Sequence, residues 1–94
     1  MAKTYWMNGL EEAGASNDTV AGPVWLQQIV AVIGTDAGPV TVMCGGTAGV
    51  TLYSGTPATS QTTTLLNLAR PINVTDLVVT ALPANAKIEF IYAV

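Results

Sequence analysis

Residues 40–53 read Val40-Thr41-Val42-Met43-Cys44-Gly45-Gly46-Thr47-Ala48-Gly49-Val50-Thr51-Leu52-Tyr53, two matched alternating tetrads on either side of a glycine-rich turn. Alternation at a period of two sends successive side chains to opposite faces of a strand, and glycine tolerates the positive φ that a tight reversal needs. The stretch predicts a β-hairpin. Working outward, the same period recurs. Candidate strands are 4–7, 24–33, 40–43, 50–53, 62–68, 77–81 and 88–92, with 72–74 as a candidate eighth, all rich in β-branched and aromatic residues.

The connections carry turn chemistry. Gly34-Thr35-Asp36-Ala37-Gly38-Pro39 ends one strand and begins the next, and Pro83-Ala84-Asn85-Ala86 turns the chain from the 77–81 strand into the last one. In that last strand Ile88, Phe90 and Tyr92 share one face and Glu89 and Ile91 the other. Residues 55–64, with Thr56, Thr59, Ser60, Gln61, Thr62, Thr63 and Thr64, read as an exposed polar loop running into a strand. No window carries the 3.6-residue apolar period with helix caps, and residues 8–16 have room for one helical turn at most. Seven to eight short antiparallel strands with regular turn signals predict an all-β chain with almost no helix, folded as a β-sandwich or jelly-roll. Residues 1–94 form one domain, with 1–20 as a candidate extended N-terminal segment. No internal repeat is present.

Composition narrows what such a domain does. Half of the 94 residues are hydrophobic and only 10% are charged, against about 25% in a typical domain. A chain this short has to leave a large share of its side chains outside the core, so a sticky surface is expected to be covered by another protein. The uninterrupted apolar run Ile29-Val30-Ala31-Val32-Ile33 is far below the ~18 residues of a spanning helix. No membrane partner is expected. The first ten residues lack the continuous apolar core of a secretory signal, and Glu11 and Glu12 follow at once. Net charge is −3, and Lys3, Arg70 and Lys87 are scattered, which argues against a nucleic-acid partner.

The residues for common site chemistry are sparse. There is no His, which removes the usual nucleophilic triads, zinc sites and the commonest general base. Glu11, Glu12, Asp18, Asp36, Asp76 and Glu89 fall mostly in loops and form no paired acid/base pattern. Asn17, Asp18 and Asp36 lack the density of a calcium loop and suit Asx turns better. Residues 44–49 resemble a phosphate cradle only in glycine content, since no Lys-Ser/Thr ending follows. Cys44 is alone, without a base or cation to activate it, and reads as a small buried hydrophobe. Asn17 and Asn73 head Asn-x-Thr triplets that matter only in a glycosylating compartment. No catalytic residue, cofactor or metal site is expected.

Candidate contact residues come from strand faces. Tyr5 and Trp6 are adjacent in a strand and point to opposite sides, so one of them leaves the core. In residues 24–33 strict alternation puts Trp25, Gln27, Ile29, Ala31 and Ile33 on one face and Leu26, Gln28, Val30 and Val32 on the other. Both faces are apolar towards the end, and residues 77–82 make the same demand for cover on their second side. Core packing is the plain reading for Trp25 and Phe90. The expected interface set is Tyr5, Trp6, Trp25, Val30, Val32 and Val79.

With its Ala, Gly, Thr and Val richness, its candidate hairpins at 40–53 and 77–92 and its lack of His or Cys pairs, the chain resembles the small β-sandwich virion proteins of tailed phages, most of all the capsid decoration, or cement, proteins. That resemblance implies a homo-oligomer, often a trimer, that binds the major capsid protein on the capsid surface, with no catalysis. No diagnostic motif carries it, so it assigns no residue. Another virion part, such as a tail, neck or head-fibre subunit, shares the same character. A carbohydrate-binding β-sandwich with Tyr5, Trp6 and Trp25 as its stacking surface is the reading from a different class.

Overall fold

The computed structural model describes residues 2–5, 10–13 and 19–92. All regular structure among them is β: β1 (Ala2–Tyr5), β2 (Leu10–Ala13), β3 (Thr19–Ile33), β4 (Val40–Cys44), β5 (Val50–Gly55), β6 (Gln61–Ala81) and β7 (Lys87–Tyr92). They pair antiparallel into one continuous sheet in the order β1-β2-β7-β3-β6-β4-β5. The all-β expectation holds, and the 40–53 hairpin is present, with Val40 opposite Gly55 and Cys44 opposite Val50.

Several expected elements differ. The strands expected at 62–68, 72–74 and 77–81 are a single strand, β6, and β3 reaches back to Thr19, so the two central strands are long. Pro71 suggests a break, yet it sits where the β3–β6 ladder is interrupted. Asn67 pairs with Gln28 and Ile72 with Leu26, so Leu68, Ala69, Arg70 and Pro71 bulge opposite Gln27 alone. A residue without an N–H costs nothing where no ladder bond is made. The expected 77–92 hairpin is also replaced. β7 pairs with β2 and β3, while the end of β6 pairs with β4, so residues 82–86 carry the chain past β3 rather than back along β6. Residues 10–13, inside the segment left room for a helical turn, are strand β2. Of the first expected strand, Thr4 and Tyr5 lie in β1, and Trp6 and Met7 fall outside the described residues.

One buried cluster holds the sheet together. It takes Leu26, Ile29, Ala31 and Ile33 from β3, Val40 and Val42 from β4, Val74, Leu77 and Val79 from β6, and Ile88 and Phe90 from β7. Strands β7 and β4 are not neighbours in the sheet, so the sheet curls to bring their inner faces to one core. The long bulge at 68–71 and a second irregularity at Asp76, whose φ is 51°, supply the bends. Pairing across the bends keeps the inner positions matched: Val42 lies opposite Val79, Ala31 opposite Ile88 and Ile29 opposite Phe90.

The β4–β5 turn is tied to the same bend. Gly45 and Gly46, at φ 79° and 81°, donate their N–H groups to the carbonyls of Thr75 and Asp76 at 2.6 and 3.2 Å. Such φ values favour glycine. Gly49 is required for space, because a Cβ there would overlap the Cys44 carbonyl. Gly49→Ala is expected to cost roughly 1–3 kcal/mol in urea unfolding, whereas Thr47→Ala in the same exposed turn stays within about 0.5 kcal/mol. Equal effects of the two substitutions would remove the steric argument.

Candidate functional site

The bulge at Gln27 decides which side chains leave the core. Leu26 and Ile29 are both fully buried, three positions apart, so the alternation changes phase between them. Before the bulge the odd positions point outward, and Pro23 and Trp25 are exposed. After it the even positions do, and Gln28, Val30 and Val32 are half-buried. Trp25, Val30 and Val32, expected on opposite faces, therefore share the outer side of β3. The core reading of Trp25 is corrected, since the ring is 55% exposed.

Neighbouring strands frame this outer side. Gln28 lies between Ile91 of β7 and Asn67 of β6, Val30 between Glu89 and Thr64, and Val32 between Lys87 and Thr62. The result is an aliphatic centre with charge on the β7 side and hydroxyls on the β6 side. Gln28 Nε2 donates to Asn67 Oδ1 at 3.1 Å, which pins one corner. Register continues the charged row outward, with Glu12 of β2 opposite Glu89 and Lys3 of β1 opposite Glu12. Further along β3, Trp25 faces Asn73, also exposed.

Other expected site residues fall elsewhere. Val79 is 0% exposed and packs in the core opposite Val42, so it has no surface to offer and its assignment as a contact residue is corrected. Its neighbour Val78, on the second face, is only 2% exposed, so that face is covered at this point by the chain itself. Tyr5 occupies the end of β1, three strand spacings or about 14 Å from β3, and Trp6 lies outside the described residues. The stacking surface expected of Tyr5, Trp6 and Trp25 lies partly outside the described residues.

The remaining polar candidates have local partners or local roles. Asp36 Oδ2 accepts from Asn85 Nδ2 at 3.2 Å, and the Ser60 N–H donates to the Gly34 carbonyl at 2.7 Å, so Asp36 ties the loops at one end of the domain. Asn17 and Asp18 lie outside the described residues. Cys44 is half-buried and packs against the core. Among the described residues no pocket is found and no three His, Cys, Asp or Glu groups lie close enough to hold a metal ion.

One feature of the surface escaped the strand-face reading. From Ala37 to Ala69 there is no charged residue, and this stretch supplies β4, β5 and the first part of β6. Counting the gap between Asp36 and Arg70 would have exposed it; which strands it places at an open edge depends on sheet order. No family model, curated protein or solved structure matches the chain.

Proposed function

We propose that the chain is a non-enzymatic structural subunit of a phage virion, a capsid decoration protein that works as a homo-oligomer and binds the major capsid protein through the outer side of β3. The observation that carries this reading is Trp25, 55% exposed on the same outer side as half-buried Val30 and Val32. A large aromatic beside an aliphatic strip, rimmed by hydroxyl and charged groups, is the composition of a contact centre that excludes water. The scarcity of charge across the chain supports the same role, because a permanent assembly covers what a monomer leaves exposed. In fold terms the reading is a two-layered β-sandwich. Its layers are the β7 side and the β4–β5 side of the curled sheet, closed over the shared core.

Purified phage particles from the source test the role. The chain is expected at fixed stoichiometry in their mass spectra and to rebind stripped shells. Trp25→Ala is expected to weaken rebinding by about 2 kcal/mol, roughly thirtyfold, with the thermal midpoint of the free protein unchanged. Absence from the particles, or wild-type rebinding by the Trp25 variant, overturns it.

A further inference from the structure

The first part of β6 pairs with β3 on one side only. Gln61, Thr62, Thr63 and Thr64 lie opposite Ile33, Val32, Ala31 and Val30 in unbroken register, and β4 joins β6 no earlier than Val78. Among the described residues no strand pairs with the other edge of 61–64. An open edge presents unpaired N–H and C=O groups, and proteins usually blunt one with lysine, proline or an inward charge. This edge has none of these. The nearest charge along β6 is Arg70 and the nearest proline within it is Pro71, both beyond the regular stretch. Three consecutive threonines add β-branched side chains that favour a pleated strand.

We infer that residues 61–64 are a self-pairing edge, and that a second copy of this chain adds its own 61–64 antiparallel to extend the sheet across a two-fold axis. The chemistry of the edge calls for a strand, and its neutrality fits the same strand from another copy. Under two-fold symmetry every group on the axis meets its own equivalent, so any charge near the centre would face a like charge. Pairing centred on Thr63 sets Thr62 of each copy opposite Thr64 of the other. Both are exposed and stand on the outer face beside Val32 and Val30. Thr–Thr pairs are favourable cross-strand neighbours, and the aliphatic strip of β3 becomes continuous with that of the second copy. The inference deepens the assembly role proposed above by naming a self-contact. It is tested on the purified chain with no particle present, so its failure leaves the proposed capsid contact through β3 standing, and failure of that contact leaves the self-pairing standing.

Sedimentation equilibrium of the full chain reads the result. Wild type is expected to show a reversible monomer–dimer equilibrium. T62K/T64K, which sets like charges opposite each other in two symmetry-related pairs, is expected to weaken it at least about tenfold with an unchanged far-ultraviolet spectrum. T62E/T64E alone is expected to behave in the same way. An equimolar mixture of the two charge variants is expected to recover dimer, since each ammonium then meets a carboxylate. A wild type that stays monomeric, a closed trimer without dimer, or charge variants that associate like wild type each overturn the inference. Failure of the mixed variants to recover dimer also counts against this register.

Discussion

Val79→Asp is expected to abolish folding, whereas Val30→Lys leaves a folded protein with a thermal midpoint within a few degrees of wild type. The two valines look alike in sequence, each in an apolar run that alternation leaves without a clear inside. In the structure Val79 is 0% exposed, opposite Val42, which is also 0% exposed. A carboxylate placed there has no cation and no donor among the cluster residues around it, which are apolar. Leaving a charge buried and unpaired costs several kcal/mol, against a total stability of about 5–15 kcal/mol for an ordinary domain. Val30 points outward between Glu89 and Thr64. A lysine there keeps its stem along the sheet and its ammonium in water. Far-ultraviolet circular dichroism with urea titration reads both variants. A cooperative wild-type-like transition for the Val79 variant would show that this position is not core, and unfolding of the Val30 variant would remove the outward assignment.

The second large effect is expected at Phe90. Among the described residues its ring heads the fully buried side chains by volume, and β7 holds it opposite Ile29 on β3. Among the described residues, strand β7 pairs with β3 on one side and β2 on the other. The ring joins β7 to the shared cluster as well as filling space. Phe90→Ala is expected to lose about 3–5 kcal/mol, the transfer cost of the ring plus that of the cavity it leaves. Ile91→Ala, one position along on the outer side and half-buried, is expected to lose much less. Urea midpoints at a constant slope measure the pair. A loss below about 1 kcal/mol for the Phe90 variant would mean that the core closes without β7.

The contrast between neighbouring positions also shows how the outer strip of β3 is built. The outer strip of β3 exists because Gln27 opposes a four-residue excursion of β6, and that excursion exists because β6 runs on through Pro71. Hydroxyls on β6 and charges on β7 are the rim of that strip, and its β6 margin is the open edge at 61–64. The proposed docking face and the proposed self-pairing edge meet at Thr62 and Thr64.

Local sequence chemistry determined a good part of this protein. Period-two alternation, β-branched richness and glycine-bearing turns specify an all-β chain. The 40–53 hairpin follows from residues that touch one another along the chain, and Ile88 and Phe90 are inside as their alternation requires. Trp25, Val30 and Val32 were legible as contact candidates because an apolar strand with two apolar faces needs cover on both. Tertiary structure decided the rest. Alternation counts residues within one strand, whereas a bulge depends on what the partner strand does, and one bulged residue reverses every face beyond it. That is why Trp25 joins Val30 and Val32 on the outside while Val79 goes to the core. It is also why three expected strands are one. Sheet order, set by pairing between strands far apart in the chain, left the neutral threonines at an edge that no described strand pairs.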